Sequence, residues 1–150
     1  AKGLGGGLPI GACLAIGDTA DLLTPGMHGS TFGGNPVCTA AALAVLKVLA
    51  DEQLIERADV LGKTIAHGVE ALGHPLVSHV RGRGLLRGIV LTAEAAKPAE
   101  TAARDAGFLV NAAAPAVIRL APPLVITEAE VESFLAALPA ILDKAQENSK

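Results

Sequence analysis

Aromatic side chains are almost missing from this 150-residue sequence, which has three Phe, no Trp and no Tyr. Stacking platforms for bases are therefore absent, which argues against single-stranded nucleic-acid binding. The formal net charge of −3 argues the same way, because phosphate backbones attract basic surfaces. Cysteine is scarce as well. Cys13 and Cys38 are too few for a disulfide framework, and no Cys/His cluster has zinc spacing, so no metal is expected. Both are expected to be buried thiols in a reducing compartment. No apolar run reaches the ~20 residues of a membrane-spanning helix, so the chain reads as soluble and cytoplasmic, with no membrane partner. An initiator methionine is lacking too. The chain is expected to be a piece of a longer protein that starts beside a functional lysine.

What the sequence does have is small apolar residues. Half of it is apolar, chiefly Ala, Val, Leu and Ile, which suits close helix–helix and helix–sheet contact in one domain or parts of two. Pro9 to Ile16 is short, apolar and bounded by glycine, and predicts a buried strand. Asp18 to Leu23 predicts one helical turn, and "TPGMHGSTFGG" (residues 24–34) a loop. Asn35 followed by Pro36 is an N-cap with proline at the first helical position. The helix from there to Ala50 is apolar nearly all round and is expected to be buried.

Leu54, Ala58, Leu61, Ile65, Val69 and Leu72 then fall at helical spacing, until Gly73 and Pro75 end the helix. Strands are predicted at Val77 to Val80 and Leu85 to Leu91, joined through "RGRG", with a short helix from Pro98 to Ala106. Further short strands are expected at Phe108 to Val110 and Val117 to Leu120. Thr127 with Glu130 predicts a capping box before a last helix, buried through Val131, Leu135, Leu138 and Leu142 and kinked at Pro139. Gln146 to Lys150 is expected to fray. Residues 1–50 thus form an apolar α/β segment, and 51–150 a compact α+β unit.

Three places could carry chemistry. In "AKGLGGGLPIGA" Lys2 precedes its glycines, so the order is wrong for a phosphate-binding P-loop, where lysine follows them. Pro9 and the glycines also break up any secretory apolar core. An amine becomes a nucleophile only when unprotonated, and glycines let a bulky cofactor approach the backbone. Composition alone equally allows a solvent-exposed terminal lysine. In "HGSTFGGNP" (residues 28–36), Ser30 and Thr31 offer hydroxyls among glycines, suited to an anion nest or simply to a polar loop. Arg119 in "VIRLAPPLVI" stands between apolar residues and needs a carboxylate, from the protein or from a substrate.

Together, "AKGLGGGLPIGA", "HGSTFGGNP", "RGRGLLRGI" and "IRLAPPLVIT" resemble the class III aminotransferases that use pyridoxal 5′-phosphate, and among them most closely the members acting on acetylornithine. The resemblance covers the whole chain and implies the C-terminal portion of a fold-type I, aspartate aminotransferase-like α/β enzyme. Residues 1–50 would end the large cofactor-binding domain, and residues 51–150 would form the small α+β domain. It implies that Lys2 forms the Schiff base with the cofactor, that Thr31 with Ser30 contacts the cofactor phosphate of a neighbouring subunit, and that Arg119 binds the substrate α-carboxylate. A homodimer with active sites at the subunit interface follows.

The implied reaction moves the δ-amino group of N-acetylornithine to 2-oxoglutarate, releasing glutamate, as a step of arginine biosynthesis. The groups that hold the cofactor ring belong to a missing N-terminal segment, so the chain alone is expected to be inactive. Ornithine, succinylornithine or 4-aminobutyrate would be substrates of related enzymes, and a non-enzymatic small-molecule-binding α+β module is the other reading. Arg81, Arg83 and Arg87 could suggest nucleic-acid contact, which the missing aromatics oppose.

Overall fold

The computed structural model describes residues 1–148 and divides the chain into two compact units, Ala1–Gln53 and a second that begins at Leu54. In the first unit, 3-10 turns span Lys2–Gly5 and Gly17–Leu22. They precede helix α1, Pro36–Asp51. Asn35 Oδ1 accepts from Val37 N at 3.0 Å and from Cys38 N at 3.3 Å, so the cap and the proline at the helix start act as the sequence predicts.

Two expectations for this unit fail. Pro9 to Ile16 forms no strand, and Leu14 and Ile16 are 94% and 89% exposed. A strand exists only with a hydrogen-bonding neighbour, and every described strand belongs to the second unit. Helix α1 is not buried either: Ala42 alone is buried, while Val37, Leu43, Leu46 and Val48 are exposed. Within this unit the helix meets chiefly the Lys2–Gly5 turn, which is too small to cover an apolar surface on every side. The thiols follow suit, Cys13 being exposed and Cys38 half-buried rather than buried.

In the second unit, helix α2 (Leu54–Ala71) buries Leu54, Ala58, Leu61, Ile65 and Val69, the stripe read from the sequence. Gly73, at φ 58°, ends it. Strands β1 (Val77–Arg83), β2 (Leu86–Leu91), β3 (Asn111–Ala114) and β4 (Val117–Leu120) form one antiparallel sheet in the order β1-β2-β4-β3. Helices α3 (Ala96–Asp105) and α4 (Glu128–Glu147) complete the unit.

Alternation decides what the sheet presents. Ile89 and Leu91 of β2 and Ile118 and Leu120 of β4 are buried in one core with Leu61, Ile65 and Val69 of α2 and Val131, Leu138 and Leu142 of α4. The residues between them on the strands point to the opposite face.

Local differences have physical causes. "RGRG" is mostly strand, because β1 continues to Arg83 and the turn falls at Gly84-Leu85. Phe108 to Val110 is not a strand. The strand begins at Asn111, in "NAAA", where pairing with β4 outweighs the weak strand preference of alanine. Helix α3 starts two residues early, at Ala96, and buries Ala96, Ala99, Ala102 and Ala103. Leu135 of α4 is half-buried, and the helix runs on through Pro139. Of the expected frayed tail, Gln146 and Glu147 are helical and Asn148 caps the helix, whereas Ser149 and Lys150 lie outside the described residues.

Candidate functional site

Lys2 opens the first turn and is exposed. Its φ of 56° is left-handed, a conformation that costs a non-glycine residue about 1–2 kcal/mol. Such strain is found mainly where surrounding structure or function demands it. The glycines behind Lys2 serve packing. Gly5 is buried, and a Cβ there would lie 2.8 Å from Ile10 Cγ2. A Cβ on Gly6 would lie 3.4 Å from Val45 Cγ2, so the turn carrying Lys2 rests on α1. Its ε-amine has no hydrogen bond or ion pair among the described residues.

Ser30 and Thr31 lie in a turn closed by Gly33 N donating to Ser30 O at 3.1 Å, directly ahead of the Asn35 cap. Both are exposed, and neither hydroxyl is bonded among the described residues. This donor set fits pyridoxal 5′-phosphate chemically: an amine for its aldehyde, and two hydroxyls with no internal partner for its phosphate.

Arg119 lies in the second unit, on β4, and its neighbours Ile118 and Leu120 are buried against the helices. Alternation therefore turns the guanidinium to the opposite face, where it is exposed. The ion pairs of the described residues are Lys47–Asp51, Lys63–Asp59, His74–Asp143 and Lys97–Glu100, and none involves Arg119. The internal ion pair that the sequence left open is thus not made among the described residues.

The strand register adds what the sequence motif did not show. Arg81 pairs with Gly88, Gly88 with Arg119, and Arg119 with Asn111, so these four form one row across the sheet. The other arginines of "RGRGLLRGI" are engaged differently. Arg87 Nε donates to Gly84 O at 2.8 Å and its Nη1 to Gly82 O at 3.0 Å, which ties down the hairpin. The hydrogen bond and charge of Lys63 hold the Asp59 carboxyl below the usual aspartate value, and the charges of Arg83 and Arg87 add smaller contributions in the same direction.

A cleft of about 510 Å³ in the second unit is lined mainly by apolar groups including Phe108, Val110, Pro122, Pro123, Ile126 and Phe134. None of Lys2, Ser30, Thr31 and Arg119 lines it, and it offers no cation for a carboxylate or a phosphate. Among the described residues no group of three His, Cys, Asp or Glu could hold a metal, and no helix is long and apolar enough to cross a membrane.

Solved structures share this fold. An ornithine aminotransferase from Toxoplasma gondii, whose structure reveals partial occupancy of PLP at the protein active site, is 34% identical. It matches 89% of this chain and 33% of its own, with a TM-score of 0.77. An acetylornithine aminotransferase from Elizabethkingia anophelis is 39% identical, with a TM-score of 0.75 over 82% of this chain and 34% of its own. The fold is therefore that of part of a fold-type I pyridoxal-phosphate transferase. The profile of the family "Aminotransferase class-III" matches residues 1–142, and the chain belongs to that family. It is 75% identical over 149 residues to the acetylornithine aminotransferase of Mycolicibacterium smegmatis, covering 99% of this chain and 38% of that protein. The chain thus spans little more than a third of the length of the curated relatives it matches.

Proposed function

We propose that this chain is part of an aminotransferase that moves the δ-amino group of N-acetylornithine to 2-oxoglutarate, with pyridoxal 5′-phosphate as cofactor and glutamate as product. The observation that carries the reading is the 75% identity to an acetylornithine aminotransferase across nearly the whole chain. Solved ornithine aminotransferases are 31–34% identical, so acetylornithine is preferred over ornithine; succinylornithine and 4-aminobutyrate are the alternative donors. The setting is arginine biosynthesis in the cytoplasm.

Each residue then has a task. The bound cofactor supplies an electrophilic aldehyde and an electron sink. Lys2 Nζ would hold the cofactor at that aldehyde, and as a free amine it would take the proton from the substrate carbon that bears the reacting amine. The hydroxyls of Ser30 and Thr31 donate to the phosphate of the cofactor in a partner subunit, so the working form is a homodimer with its sites at the interface. Arg119 binds the substrate carboxylate with its two-pronged fork and orients the chain for proton transfer. Residues 1–50 belong to the large cofactor-binding domain and residues 51–150 to the small domain. The groups that grip the cofactor ring lie in sequence outside this chain, which by itself is inactive.

Borohydride reduction of the full-length protein loaded with pyridoxal phosphate tests the reading. A pyridoxyl label should map to Lys2, and Lys2→Ala should lose both the label and transamination of N-acetylornithine. A label on another lysine, or near-normal turnover in Lys2→Ala, would sink it.

A further inference from the structure

Asn35 stands between the loop that carries Ser30 and Thr31 and the helix that follows, and it bonds to both. On the loop side its amide N donates to Phe32 O at 3.3 Å, overlapping the turn that Gly33 N closes on Ser30 O at 3.1 Å. On the helix side its Oδ1 accepts from Val37 N and Cys38 N. Its carbonyl oxygen accepts from Thr39 N at 2.9 Å and from Thr39 Oγ1 at 3.1 Å. Hydrogen bonds thus run without a break from Ser30 into the first turn of α1. The loop is also tightly folded. A Cβ on Gly33 would lie 3.3 Å from both Ser30 Cβ and Ser30 O. Gly34, at φ 72°, takes a left-handed conformation that favours glycine.

Loops rich in glycine and small polar residues are ordinarily mobile, and ordering one when a ligand binds costs affinity. A hydroxyl on such a loop serves a phosphate best when its backbone is already fixed. Here the fixed reference is α1, sixteen residues of regular helix. Val37 N and Cys38 N are helix amides with no partner of their own in the helix. By accepting from them, the Asn35 side chain holds its own backbone at φ −51° and ψ 127°, the angles at which the loop meets the helix. The cap therefore does more than stabilise a helix end. It sets the direction of the turn that carries Ser30 and Thr31.

We propose that Asn35 is a positioning residue for cofactor binding, which pre-organises the Ser30 and Thr31 hydroxyls for the phosphate of the cofactor in the partner subunit. This rests on the function proposed above. Asn35 itself touches no cofactor and acts through the turn ahead of it. Without its side chain the turn visits other orientations, and the apparent affinity falls in proportion to the fraction of molecules that keep the competent one.

The test is equilibrium dialysis of pyridoxal 5′-phosphate against the full-length protein, with Tm measured alongside. Asn35→Ala should raise the Kd by about fivefold, the equilibrium equivalent of a typical N-cap. Asn35→Ser, which caps as well as asparagine, should recover most of that loss. Thr127→Ala removes a cap of the same kind from α4, in the other unit, and should lower Tm without raising the Kd. In a variant carrying both Ser30→Ala and Thr31→Ala, adding Asn35→Ala should weaken binding little further, because no hydroxyl remains to be positioned. A lowered Tm with unchanged Kd in Asn35→Ala would make the cap purely structural and overturn the proposal. So would fully additive losses in the triple variant, or an equal rise in Kd for Thr127→Ala. If Asn35→Ala does not fold, Asn35→Gly removes Oδ1 while keeping most of the helix stability. A raised Kd in that variant supports the role, and an unchanged one refutes it. The underlying reading fails separately: the variant with Ser30→Ala and Thr31→Ala would then bind the cofactor as tightly as the parent, and the proposal would fall with it.

Discussion

Arg57, on α2, donates from Nη1 to the carbonyl oxygen of Leu124 at 3.0 Å, across 67 residues of sequence. Its Nη2 donates to Ile126 O, so one guanidinium spans the segment between β4 and α4. That segment follows Arg119 directly and contains Pro122 and Pro123, which have no amide hydrogen with which to pair.

Arg57→Ala should therefore release the segment and cost about 1–3 kcal/mol of stability, since both bonds are charge-assisted. Arg57→Lys should recover only part of it, because a point charge cannot serve two carbonyls in a fixed fork. Urea denaturation of the three proteins measures the difference. Equal midpoints for Arg57→Ala and the parent would show that the segment holds without the clamp.

Gly62 sits where α2 meets the β1–β2 turn. A Cβ there would lie 1.9 Å from Gly84 O and 2.5 Å from Gly84 C, both backbone atoms. Alanine normally favours a helix interior over glycine by ~1 kcal/mol. Here the forced shift of helix against hairpin should outweigh that gain, and Gly62→Ala should be destabilised by about 1–3 kcal/mol. A thermal melt decides the sign, and an increase in Tm would show that the turn can move away freely.

The capping box of α4 makes acid sensitivity predictable. Glu130 Oε2 accepts from Thr127 N at 2.7 Å, and Thr127 Oγ1 accepts from Glu130 N at 3.2 Å. Hydrogen bonds from Thr127 hold the Glu130 carboxyl below its usual value. A carboxylate with a lowered folded pKa stabilises the protein fully above its unfolded pKa, and the contribution is lost as the pH falls through the folded value. Glu130→Gln should therefore show a shallower loss of stability on acidification below the ordinary glutamate range. Thr127→Ala should cost about 1 kcal/mol at neutral pH. Identical acid titrations of stability for Glu130→Gln and the parent would contradict the assignment.

Thr31→Ala, made in the full-length protein, should weaken pyridoxal phosphate binding by about 1.5–3 kcal/mol, the usual worth of a hydrogen bond to a charged group. The fold should persist, because the Thr31 hydroxyl has no partner among the described residues. Equilibrium dialysis of the cofactor gives the answer, and unaltered affinity would remove Thr31 from the phosphate site.

Features set by neighbours along the chain were legible in the sequence. Asn35-Pro36 and Thr127 with Glu130 announce helix starts because a capping side chain bonds amides only two or three residues on. The stripe of Leu54, Ala58, Leu61, Ile65 and Val69 announces α2 because the helical repeat puts those residues on one side. Lys2, Ser30, Thr31 and Arg119 could be singled out from motifs, and the resemblance supplied their roles.

Tertiary structure alone decided the rest. Residues 9–16 and α1 are as apolar as core elements, yet most of their large apolar side chains are exposed, because burial needs an opposing surface that this unit by itself does not provide. "NAAA" is a strand only because β4 lies beside it. Arg81 and Arg119 are separated by three intervening elements in sequence, β2, α3 and β3. Register across β2 is what brings them to either side of Gly88, and register depends on the packing of the whole sheet, which no local pattern encodes.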